Sequence, residues 1–178
     1  MTEYHSDAML NHTMRSWLWA EGIASVRRIS GVDHELLYVA SLLHDLGTVA
    51  EFDNHTLSYE EAAGHISKVL TAGAGWASAR RERVAEVIIR HNWTSVDPGL
   101  DLEGHLLELA TGLDITGAGI DILPQTFLQE VTEKYPRGSL AEEFSTCVTD
   151  QARRKPDTAA QRLVSNGLAE RMRRHPLE

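Results

Sequence analysis

Apolar residues along this chain recur at spacings of three and four, the helical period, and no segment shows a convincing alternation of period two. A chain patterned this way buries its apolar stripes helix against helix, so the expected fold is all-α. The stretch His34-Glu-Leu-Leu-Tyr-Val-Ala-Ser-Leu-Leu-His-Asp-Leu-Gly47 is the strongest constraint. Leu36, Leu37, Val39, Ala40, Leu42, Leu43 and Leu46 cover almost the whole circumference of a helix, which predicts a central, buried element. Asp33 is its expected N-cap and Gly47 its expected left-handed stop.

Around it the spacing predicts a first helix over about 8–23, capped by Asp7. A helix toward Ala72 opens on the capping box Ser58-Tyr-Glu-Glu61. Further helices are expected over about 80–91, 102–116 and 125–134. Another runs from a second capping-box match at Ser139 to about Arg154, and a terminal one follows Pro156-Asp157 to about Arg173. The stretch Gly117 to Leu123 has no clear assignment. The 178 residues suit one domain, 1–178, able to bury its own core.

The net charge of −9 and the scattered basic residues argue against a nucleic-acid or anionic-membrane surface and leave a small-molecule substrate as the expected partner. A single cysteine, Cys147, forbids an intrachain disulfide. No apolar run is long enough for a membrane span and no signal peptide is visible, so the expected location is cytoplasmic. The amphipathic terminal helix, with Leu163, Leu168 and Met172 among arginines, leaves a homo-oligomer open.

The histidines carry the chemistry. His44 and Asp45 close the most apolar helix, where an imidazole beside a carboxylate is costly to bury unless a cation pairs with both. His12 lies on a mostly apolar face with Met9 and Trp19. His91 continues the stripe of Val84, Val87 and Ile88, and Asp114 that of Leu107 and Ala110. Helices that each turn one such group inward are how metal sites are built in bundles. His5, His34, His55, His65, His105 and His175 read as core or surface residues. Of Trp17 and Trp19, two apart and unable to share a face, one is expected in the core.

The order H…HD…D resembles the HD-domain superfamily of metal-dependent hydrolases. Asn11-His12 with Arg15-Ser16, the helix Glu35 to Gly47, Arg90-His91-Asn92, Leu109-Ala-Thr-Gly-Leu-Asp114-Ile-Thr-Gly117 and Arg154-Lys155-Pro156-Asp157-Thr158 are similar to five ordered segments of its cyanamide-hydratase-like branch. The resemblance implies one divalent metal ion, typically zinc with iron or manganese as alternatives, on His12, His44, Asp45 and Asp114. It also implies activated water adding to a C≡N carbon. Asp45 and His91 are then the catalytic candidates, with His91 as the acid that protonates nitrogen. Asn92, Trp93 and Arg15 are the substrate-binding candidates, Arg15 alternatively pairing with Asp45 or Asp114. The branch's R-F-E-x-x-G-A motif is replaced here by Thr56-Leu-Ser-Tyr-Glu-Glu-Ala-Ala63, where Glu60 and Glu61 compete for one position. The alternative activity is phosphohydrolysis of a nucleotide or other phosphate ester. Its need for cations at the phosphate is met in sequence only by Arg15 and Arg90.

Overall fold

The computed structural model describes residues 3–178, and among them there are helices, two 3₁₀ turns and loops but no β-strand. In order they are α1 (Asp7–Val26), α2 (His34–Leu43), α3 (Tyr59–Gly73), α4 (Ser78–Arg90), α5 (Leu102–Thr116), α6 (Gln125–Lys134), α7 (Leu140–Arg154), α8 (Ala159–Ser165) and α9 (Leu168–Arg173). The fold is all-α, and among the described residues no helix is long and apolar enough to cross a membrane.

Local chemistry sets most of the starts. Ser6, not Asp7, caps α1, its side chain accepting from the Met9 amide. Asp33 caps α2 through Leu36, and the Ser58/Glu61 capping box opens α3. Ser139 precedes α7, but its hydroxyl turns to Glu143 and caps nothing. The expected terminal helix is two, because Gly167 takes φ 73°, a left-handed conformation that breaks the run. The unassigned stretch after α5 is a 3₁₀ turn, Ile120–Ile122, entered through left-handed Gly117 and Gly119.

The central helix ends earlier than its apolar pattern predicts. α2 stops at Leu43, His44 is its C-cap, and Asp45 leads into the 3₁₀ turn Leu46–Thr48. Gly47 does not supply a left-handed stop. It is needed for space, because a Cβ there would sit 2.0 Å from the Tyr59 carbonyl oxygen. That approach brings the His44-Asp45 turn hard against the start of α3.

Two apolar clusters form the interior. One joins α1, α2, α4 and α5 through Trp19, Ile23, Leu37, Ile88, Leu107 and Leu113. The other packs α7, α8 and α9 onto the ends of α1, α3 and α5 through Met9, Tyr59, Ile115, Phe144 and Met172. His12 falls between Met9 of one cluster and Trp19 of the other, and Asp114 between Leu113 and Ile115. The polar groups singled out in the sequence therefore lie along the seam where the two clusters meet.

Candidate metal centre

α1, the α2 terminus and the turn after it bring His12, His44 and Asp45 together, with one ligand atom from each within 4.8 Å of the others. All three are buried. Their hydrogen bonds decide what they present to one another. His44 Nδ1 donates to the Ser41 carbonyl at 2.7 Å, and His12 Nδ1 donates to the Asp114 carboxylate at 2.7 Å. A carbonyl or carboxylate can only accept, so each Nδ1 carries a hydrogen and each neutral ring presents a bare Nε2. Those two Nε2 atoms face each other at 3.1 Å, and each lies 3.3 Å from Asp45 Oδ2. Neither has a proton to give, so both oxygens of Asp45 are buried without a hydrogen-bond partner.

A buried cluster built only of acceptors demands a positive charge at its centre. Its titration reflects this. Burial opposes charge on His12, yet the carboxylates of Asp114 and Asp45 outweigh it and raise its pKa. Burial alone would raise Asp45, but His44 and His12 hold it well below the usual carboxylate range. Two imidazole nitrogens and a carboxylate are an ordinary donor set for a divalent transition metal, so the residues fit the ion.

Asp114 is placed differently from the expectation. Besides His12 Nδ1, its carboxylate accepts from Arg15 Nε at 2.8 Å, Arg15 Nη2 at 2.8 Å and Trp19 Nε1 at 2.7 Å. Four donors fill the roughly four lone-pair sites of a carboxylate, and none is left to face the cluster. Asp114 stands behind His12, fixing its tautomer and orientation as outer partners of metal ligands do. Arg15, fully buried on Asp114 and on the Tyr135 and Pro136 carbonyls, is no substrate contact. It is a partner of Asp114.

A cavity of about 310 Å³ opens on the cluster. His91 lines it from the end of α4, with its ring 4.8 Å from that of His44. Its Nδ1 donates to the Ile88 carbonyl, so Nε2 is again the bare atom. Burial, reinforced by His44, pushes its pKa down to about 3. His91 is thus held as a neutral imidazole whose Nε2 lone pair is free on the cavity side. Asn92 and Trp93 line the same cavity, and Asn92 Nδ2 donates to the Tyr59 hydroxyl. Trp93 is 47% exposed and carries Arg90 over its ring.

Tyr59, Thr111, Ile115 and Phe144 also line the cavity, as do Arg162 and Arg171 from α8 and α9. None was singled out in the sequence: Tyr59, Ile115 and Phe144 read there as packing residues and the two arginines as surface charges. Of the two competing glutamates, Glu61 serves the capping box. Glu60 is buried with Oε2 unpartnered, outside the cavity lining, and burial raises its pKa.

The chain is similar to known proteins over most of its length. The HD domain family matches residues 9–115, which spans His12, His44, Asp45, His91 and Asp114. Two curated proteins of Saccharomyces cerevisiae, cyanamide hydratase DDI2 and cyanamide hydratase DDI3, are each 30% identical over 151 residues. The match covers 83% of this chain and 67% of each relative.

Proposed function

The chain belongs to the HD-domain family, in its cyanamide-hydratase-like branch, and on that premise we propose that it adds water to the carbon of a small nitrile-type substrate such as cyanamide, giving urea. It is a metal-dependent enzyme of the hydratase and hydrolase type. The observation that carries the reading is the cluster of bare Nε2 atoms and an unpartnered carboxylate opening onto a cavity that His91 also lines.

His12, His44 and Asp45 hold the divalent ion, zinc by the character of the donors, with iron or manganese as alternatives. When bound, such an ion lowers the pKa of water toward roughly 7 and supplies a nucleophile at neutral pH. Asp114 and the Ser41 carbonyl fix the two histidine tautomers so that both lone pairs point to one place. His91 Nε2 accepts the proton released as water adds to the nitrile carbon. It hands that proton on to the nitrogen, where negative charge develops. The water's hydroxyl thus ends on carbon and its proton on nitrogen, and the resulting isourea becomes urea as its O–H proton shifts to the imino nitrogen. Asn92, held by Tyr59, orients the substrate, and Ile115 and Phe144 exclude bulk water from the reacting carbon.

Phosphohydrolysis remains the second reading, favoured by one observation: Arg162 and Arg171 line the cavity, whereas Arg15 and Arg90 do not. The test assays metal-loaded protein on cyanamide and organic nitriles beside nucleoside monophosphates and a generic phosphate ester. Urea or amide is the expected product. Phosphate release without either would overturn the reading.

A further inference from the structure

The cavity is oversized for cyanamide. That molecule is about the size of three waters, on the order of 90 Å³ at roughly 30 Å³ each. The cavity holds about 310 Å³, within the range of sites that enclose larger metabolites. Its walls divide by origin. His12, His44, Asp45 and His91 come from within the region matched by the HD domain family, residues 9–115. Arg162, Leu163, Asn166 and Arg171 come from the C-terminal helices beyond it.

The two arginines are free to act on a ligand. Among the described residues no carboxylate lies within ion-pair distance of either, whereas Arg173 and Arg174 next to Arg171 both engage Glu170. Arg162 donates one Nη to the Asn92 backbone oxygen, which seats its guanidinium on the cavity wall with most of its five donors unspent. Asn92 is followed by Trp93 and Thr94, both also in the lining. The opposite wall carries one acid besides Asp45, Glu108 of α5. It lies across the cavity from the two arginines of α8 and α9. In a chain of net charge −9, two unpaired arginines over a metal cavity mark a place where negative charge is bound.

We propose that the substrate is a nitrile-type molecule longer than cyanamide, bearing an oxyanion, carboxylate or phosphate, at the end away from the metal, and that Arg162 and Arg171 bind that group. The inference rests on the hydratase reading for the reacting end only. The arginines select the tail, through charge-assisted hydrogen bonds that a neutral substrate of equal length cannot make.

The test uses the full, metal-loaded chain and three probes: N-cyanoglycine, its phosphonate counterpart, and neutral N-ethylcyanamide. Titration calorimetry measures binding, and product analysis measures hydration. One of the anionic probes should bind at least roughly tenfold more tightly than N-ethylcyanamide, and the tighter of the two identifies the oxyanion. In R162Q/R171Q that ratio should fall toward one, while R162K/R171K should keep most of it. Equal affinity for charged and neutral probes in the wild type, or an undiminished ratio in R162Q/R171Q, overturns the proposal. Should the glutamine variant fold poorly, salt decides: the preference must shrink as ionic strength rises, and a salt-independent preference overturns it. If the preference is present but no nitrile is hydrated, the hydratase reading fails and the anionic subsite stands. Hydration without preference gives the reverse.

Discussion

His12, Arg15 and Trp19 share one face of α1 and all three donate to Asp114. That convergence turns Asp114 from a candidate ligand into the group that aims one. Because it acts through His12, D114N should weaken metal binding by roughly 10- to 100-fold, as loss of an outer partner does. H44A should abolish binding. Isothermal titration of zinc into folded, metal-stripped protein measures both, and equal loss in the two variants would return Asp114 to the inner set. Spacing marked His12, His44 and Asp45 as inward-facing, and only the family resemblance joined them into one ligand set. Spacing could not show that Asp114 would be saturated, because that depends on where three side chains of another helix point. His5 was illegible for a similar reason: nothing local marks it as buried, yet its Nε2 is enclosed and unpartnered.

His5 also yields the clearest pH prediction. Burial first, against a partly offsetting Asp45, lowers its pKa from 6.5 to about 4. The unfolded chain therefore takes up a proton at this position between about pH 6.5 and 4 that the folded chain refuses, and stability is lost as pH falls through that window. The cost at its lower end is on the order of 3 kcal/mol. H5L removes the titrating group without orphaning a partner. Its melting temperature should exceed that of the wild type by more at pH 5 than at pH 7.5, and a pH-independent difference would contradict the assignment.

Among the elements, the α2 terminus matters most. Apolar periodicity located α2 and its cap at Asp33, but predicted a helix running on to Gly47. The helix stops at Leu43 because tertiary contact wins there: the following turn is pressed onto α3, with Gly47 against the Tyr59 backbone. G47A must push these segments apart, at a cost of about 3 kcal/mol or more. Chemical denaturation would show the loss, and a variant as stable as wild type would mean that the close approach is not obligatory. The Arg154-Lys155-Pro156 element has a related architectural role. Buried Lys155 reaches Asp53 at 2.9 Å, and Gln151 and Arg154 also reach Asp53, tying the loop after Asp45 to the end of α7. The sequence marked that element through resemblance alone, since its partner lies about a hundred positions away.

Across the whole molecule, two apolar clusters enclose a seam of polar groups whose charges balance only around a cation. The first cluster and the central site residues were readable as helical stripes. The cavity's outer wall was not, because α8 and α9 reach it only through the packing of α7 and α9 against the rest of the fold. On the proposed reading His12 Nε2, His44 Nε2 and Asp45 hold one divalent ion while Asp114 stays on Arg15. An anomalous-difference map from crystals of the zinc-loaded protein tests this directly. A single strong peak bonded to those three groups is expected, with Asp114 still engaged by His12, Arg15 and Trp19. A peak elsewhere, no peak at saturating zinc, or Asp114 rotated onto the ion would contradict it.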